Sequence, residues 1–188
     1  VILLYNESQK EEIDEMKLKY EKVQYILYKQ NIFKAIKQNE DIIKGQYVSI
    51  INSEDSTTID FYRTMLFAAL NNNADMVISN AVLQYKDGGK AYLSLSEASL
   101  KELNSEKNIE EYLKMSTVSF LWNIFGNKIF TKNLFINTLD NVCEKEENVQ
   151  NFCFFAIMFY YSKKINIVKN EVLFYSFEEN NFEIVRRA

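Results

Sequence analysis

"GQYVSIINSEDSTTIDFYRTMLFAALNNNADMVISNA", residues 45–81, is the stretch on which the fold turns. An apolar run, Tyr47 to Ile51, stops at a polar, acidic cluster, Asn52-Ser53-Glu54-Asp55. Hydroxyl residues follow, then an amphipathic stretch from Thr57 to Asn72 and a second apolar run from Ala74. Strand, acidic turn, helix and strand is the order in which an α/β protein places a site at a strand tip. Carboxylates there suit a divalent metal and a phosphorylated ligand, because hard cations take oxygen donors. The plainer reading of the same residues is a turn, with Asn52, Ser53 and Asp55 reversing the chain and capping the next helix.

Upstream, "VILLY" (1–5) reads as a strand, 8–22 as a helix with Ile13, Met16 and Tyr20 at helical spacing, and "VQYILY" (23–28) as a second strand. A helix over 32–44 turns Phe33, Ile36 and Ile43 inward and stops at Gly45. The third strand, 46–51, is expected between parallel neighbours. The helix from Thr57 is expected to bury Ile59, Tyr62, Leu66, Ala69 and Leu70. A strand over 74–86 then reaches Asp87-Gly88-Gly89, whose turn chemistry predicts a hairpin with 90–96. Beyond it come a short helix at 109–115, a strand and turn at 127–135, and a deeply packed helix over 148–164. Two closing strands, 165–170 and 172–177, precede a polar tail. Alternating strands and helices with short loops predict an α/β three-layer sandwich around a mostly parallel sheet, in a single domain over 1–188.

The 188 residues are 47% hydrophobic and 26% charged, which is ordinary for a globular domain with a real core. A net charge of −4 argues against nucleic acid as a partner. No apolar run approaches the roughly 20 residues of a membrane span. The chain begins at Val1, which reads as a piece of a longer polypeptide with other domains as partners. Histidine is absent, so acid–base chemistry falls to carboxylates, Lys, Tyr or the substrate, and a His-built zinc site is excluded. Of the two cysteines, Cys153 reads as a small core residue; a disulfide to Cys143 stays open.

Three stretches together resemble the family 2 glycosyltransferases, which have the GT-A nucleotide-diphospho-sugar fold. Residues 45–81 are similar to the family's Gly-Glu-Tyr strand, Asp-Ser-Asp-Asp turn, helix and strand. "FGNKIFTKNLF" (125–135) is similar to its Trp-Asn-Lys segment. "KEENVQNFCFFAIMFYYSKKINIVKNEVLFYSF" (145–177) is similar to its Gly-Glu-Asp motif, long helix and closing strand. The resemblance implies a transferase that moves a sugar from a nucleoside-diphospho-sugar to a surface glycan or lipid-linked acceptor. It implies Mg²⁺ or Mn²⁺ on the acidic turn, with Glu54 and Asp55 as metal ligands and Asn52 and Ser53 beside the donor. It makes Glu147, with Glu146 next to it, the candidate base for the acceptor hydroxyl, and places Tyr5 and Asn6 at the nucleotide. It implies a cytoplasmic location extending to the inner membrane surface.

The sequence departs from that family at each motif. Asn52 stands at the first Asp of the turn, Glu54 at the third position, and Lys145-Glu146-Glu147 at Gly-Glu-Asp. Glu144 to Glu147 is equally a charge run that favours a helix N-terminus. "VILLYNES" aligns with the family's first strand or with its second; either way "VILLY" is expected at the centre of the sheet. A second function therefore stands beside the enzyme: a catalytically inactive GT-A-like binding or scaffolding module within a larger protein. A third is sugar binding by stacking on the aromatic residues, 14% of the chain.

Overall fold

A computed structural model describes residues 1–29, 31–94, 112, 114, 120–142 and 147–177. The tail, Cys143, Glu146 and all of 109–115 except Tyr112 and Lys114 lie outside the described residues. Two compact units divide the chain, Val1–Lys44 and Gly45–Ala188.

The first unit is a strand–helix–strand unit followed by a helix. β1 (Ile2–Tyr5) and β2 (Gln24–Leu27) pair in parallel, from Ile2 against Gln24 to Tyr5 against Leu27. Parallel neighbours need a crossover, supplied here by α1 (Lys10–Lys19). It buries Ile13 but ends before Tyr20, which is left exposed. α2 (Ile32–Gln38) starts where the Asn31 side chain accepts from Lys34 N at 2.9 Å. Phe33, Ile36 and Ile43 are buried as expected. The sheet of β1 and β2 is two-stranded, so "VILLY" does not take the central place expected of it.

The second unit is built on a mixed six-stranded sheet. Its strands are β3 (Tyr47–Val48), β4 (Ser56–Thr57), β5 (Met76–Tyr85), β6 (Lys90–Leu93), β7 (Lys128–Thr131) and β8 (Ile165–Phe177). The order is β3-β7-β5-β8-β4, with β6 also paired to β5. The parallel β5–β8 ladder is the longest, from Met76 against Ile165 to Tyr85 against Phe177. The other pairs are antiparallel, including β3 with β7, so β3 lacks the parallel neighbour expected of it. Met76, Val77, Ile78 and Ser79 are all buried on β5. Since successive residues face opposite sides, both faces of the sheet are covered there.

β8 replaces the two closing strands expected. Its register jumps from Ser79–Val168 to Asn80–Val172, and Asn80 Nδ2 donates to Lys169 O across the irregularity at 2.8 Å. α3 (Phe61–Asn72) packs on β5 and β8 through Phe61, Met65 and Ala69. Of the stripe expected for this helix only Ala69 is buried, while Ile59, Tyr62, Leu66 and Leu70 are exposed. The turn expected after β7 is instead α4 (Lys132–Asn141), with the Thr131 hydroxyl accepting from Leu134 N. α5 (Glu147–Tyr161) buries Phe154, Phe155, Met158 and Phe159, and exposes Phe152, Tyr160 and Tyr161. Its Cys153 is half-buried.

A polar node ties this core together. Lys128 is fully buried, with its ammonium donating to Leu121 O, Ile124 O and Asn127 Oδ1. It also lies 4.7 Å from the centre of the Phe155 ring. Three acceptors match the three protons of an ammonium, although burial pulls its pKa well below the usual lysine range. Asn127 Nδ2 donates in turn to Ser79 O on β5 at 3.0 Å.

Candidate functional site at the acidic turn

The acidic turn is seated from both sides. Before it, the Ser49 hydroxyl donates to Lys128 O at 2.9 Å, joining the strand end to β7. Gly126 lies against the residue that precedes the turn: a methyl group there would stand 3.0 Å from Leu173 and 3.5 Å from Ile51. After it, β4 pairs with Leu173 and Phe174 of β8. The turn closes where Asp55 N donates to Asn52 O at 3.1 Å.

Within it the two acids behave differently. Glu54 is exposed, as are Asn52 and Ser53. Asp55 turns inward: its Oδ1 accepts from Ser176 N at 3.0 Å, while Oδ2 is buried without a hydrogen-bond partner among the described residues. Burial pushes the Asp55 carboxyl up, against the backbone N–H groups of Ser176 and Asn52, and the Glu54 carboxylate adds to the rise. Tyr175 is raised as well, first by burial and then by Asp55 and Glu54. Glu54, Asp55, Tyr175 and Ser176 thus form one electrostatic neighbourhood.

A cleft of about 290 Å³ opens beside Glu54, lined on its other sides by Ser176 and the β5–β6 hairpin with Gln84, Lys86 and Lys90. The hairpin is the one read from Asp87-Gly88-Gly89. Tyr85 N donates to Gly89 O at 2.9 Å, Gly88 has φ +88°, and Asp87 Oδ1 accepts from Gly89 N at 2.8 Å.

Tyr5 and Asn6 belong to the first unit. Tyr5 is buried, and its hydroxyl accepts from Lys17 Nζ at 3.2 Å. Asn6 caps a 3-10 turn, donating from its backbone N–H to Gln9 Oε1 and accepting from the Ser8 hydroxyl. Glu147 opens α5, and Glu146 lies outside the described residues. Among the described residues no three acids or cysteines converge as a metal cluster.

No protein-family model matches the sequence. No curated protein matches it either. Solved structures do. The chain aligns over its full length with 53% of S. aureus TarS 1-349, at 14% identity and a TM-score of 0.61. It has a GT-A-like α/β fold. A structure of S. aureus TarS 1-349 in complex with UDP-GlcNAc matches over 95% of this chain and 50% of that one, at 13% identity and a TM-score of 0.61. HddC from Yersinia pseudotuberculosis matches over 99% of this chain and 77% of that one, at 14% identity and a TM-score of 0.50. The chain therefore spans about half the length of TarS 1-349. Among the described residues, no helix is long and apolar enough to cross a membrane.

Sequence reasoning missed Tyr175, Ser176, Lys86 and Lys90 as neighbours of the turn. The hairpin signal was present in the sequence. The register that carries Ser176 opposite Gln84 lies in the pairing of two distant strands and has no local mark.

Proposed function

We propose that this chain is a family 2-like glycosyltransferase domain that binds a nucleoside-diphospho-sugar at the Asn52–Asp55 turn and transfers its sugar to a surface glycan or lipid-linked acceptor. The observation that carries the reading is the Asp55 Oδ2, buried without a hydrogen-bond partner among the described residues and beside the exposed Glu54, on a GT-A-like fold. The likeness to a structure containing UDP-GlcNAc supports a nucleotide-sugar as donor. The orphaned oxygen fits a divalent cation, and Mg²⁺ is commonly bound through one or two carboxylates with phosphate oxygens and waters completing its shell. Glu54 and Asp55 would hold such an ion, whose chemistry is to neutralise the charge of the leaving diphosphate. Glu147, or Glu146 beside it, takes the acceptor proton. The protein acts in the cytoplasm or at the inner membrane surface, as a part of a longer polypeptide.

A second reading, a non-catalytic binding module, is favoured by the neutral Asn52 at the head of the turn and by the engagement of Asp55 with Ser176 N. Turnover separates the two. With UDP-GlcNAc and Mn²⁺ the enzyme reading expects release of UDP, reduced about 10²–10⁴-fold in Glu147→Gln. Release unaffected by that change removes Glu147 from the mechanism. No release from any UDP- or CDP-linked donor leaves the binding module.

A further inference from the structure

We propose that Lys128 and Ser49 are positioning residues for the acidic turn: Lys128 closes a loop over 121–128, and Ser49 ties the turn's approach to that loop. The inference rests on the nucleotide-sugar reading for what the turn binds, and on the packing alone for how the turn is held. One buried amino group gathers the loop. Lys128 Nζ donates to Leu121 O at 3.2 Å, to Ile124 O, and to Asn127 Oδ1 at 2.7 Å. Among side chains, lysine is the one that offers three donors from a single point at the end of a long stem. The backbone closes the same loop, with Lys128 N donating to Phe125 O at 3.1 Å. β5 holds it from the other side, through Ser79 N donating to Asn127 O at 2.8 Å and Asn127 Nδ2 donating to Ser79 O at 3.0 Å.

The turn leans on this loop where the ladder ends. β3 pairs with β7 through Tyr47 and Val48. At the next residue the tie passes to a side chain, and the Ser49 hydroxyl donates to Lys128 O at 2.9 Å. Two residues on, Ile51 comes against Gly126, where a methyl group would stand 3.5 Å from it. The same methyl group would stand 3.0 Å from Leu173, the β8 partner of Thr57. One α-carbon is therefore within reach of both flanks of the turn, since Ile51 precedes Asn52 and Thr57 follows Asp55. Ser49 is the separable part of the arrangement. Removing its hydroxyl leaves the bonds of Lys128 Nζ and the ladders of the sheet in place, and releases the strand end from β7.

The test is amide hydrogen exchange of the full chain without ligand, read by NMR at Asp55 and Ser176. Asp55 N donates to Asn52 O within the turn, and Ser176 N donates to Asp55 Oδ1. Losing one hydrogen bond shifts local opening by that bond's net worth. Expected in Ser49→Ala are rates about three- to tenfold higher at both amides, unchanged rates along β5, and recovery in Ser49→Thr. Lys128→Met, which loosens the loop itself, should speed the same two amides; if that variant does not fold, the Ser49 pair decides. Unchanged rates at Asp55 and Ser176 in Ser49→Ala, or an equal rise throughout the sheet, overturn the positioning role. Calorimetry with UDP and Mn²⁺ then asks what the placement serves. A Kd weakened by a similar factor in Ser49→Ala and restored in Ser49→Thr supports the role, and an unchanged Kd overturns it. If wild type binds no UDP while the two amides still respond, the donor reading fails and the positioning of the turn stands.

Discussion

Asp55 carries two demands that pull against each other. Its Oδ1 is anchored by Ser176 N, and burial favours the protonated carboxyl over the carboxylate that a cation would need. This has a consequence for stability in the absence of ligand. A carboxyl raised above its ordinary value of 3.8 holds its proton more tightly folded than unfolded. Its contribution is therefore complete below 3.8 and is lost as pH rises through the folded value. Asp55→Asn keeps an oxygen for Ser176 N and cannot titrate. Urea unfolding from about pH 3 to 7 should show wild type losing stability relative to Asp55→Asn as the pH rises. Parallel curves would mean that the burial of Asp55 has no energetic weight. The sequence showed that Asp55 ends an acidic turn, but Ser176 lies over a hundred positions away and only the β4–β8 pairing brings it there.

At the scale of elements, α3 shows how a helix can be legible while its phase is not. "FYRTMLFAAL" is apolar along two adjacent stripes, one through Phe61, Met65 and Ala69 and the other through Tyr62, Leu66 and Leu70. Helical spacing fits both. The choice is made by the start of the helix: Ser56 and Thr57 are taken by β8 as β4, which delays the first turn to Phe61. Met65→Ala should cost about 2–5 kcal/mol, and Leu66→Ala less than about 0.5 kcal/mol. Thermal or urea unfolding measures both, and the reverse order would restore the stripe read from the sequence. α4 was open to reading and was missed, because Thr131 is an N-cap and Leu134, Phe135, Thr138 and Leu139 recur at helical spacing. The β5–β6 hairpin was read correctly because its turn needs a left-handed residue, and glycine announces one.

For the whole molecule, alternation of strands and helices was enough to give the α/β class, since each crossover must cover a sheet face. Strand order was not available from any local pattern. Nothing in "VILLY" says that it pairs with 24–27 in a sheet of its own, or that the antiparallel β7 stands between β3 and β5. The Asn-Lys of "FGNK" was legible as a motif, yet its work in the fold is to join β7 to β5 through the Asn127 amide and to the turn at 120–124 through the buried Lys128 side chain. These placements put Glu54 and Asp55 at one rim of the sheet, and the account of function depends on that rim binding a diphosphate through them. Isothermal calorimetry with UDP, in Mn²⁺ and again in EDTA, measures this on the full chain. The expected result is micromolar, metal-dependent binding that falls at least about tenfold in Glu54→Ala. Binding of UDP that is unchanged by EDTA and by Glu54→Ala, or no heat at all, would contradict it.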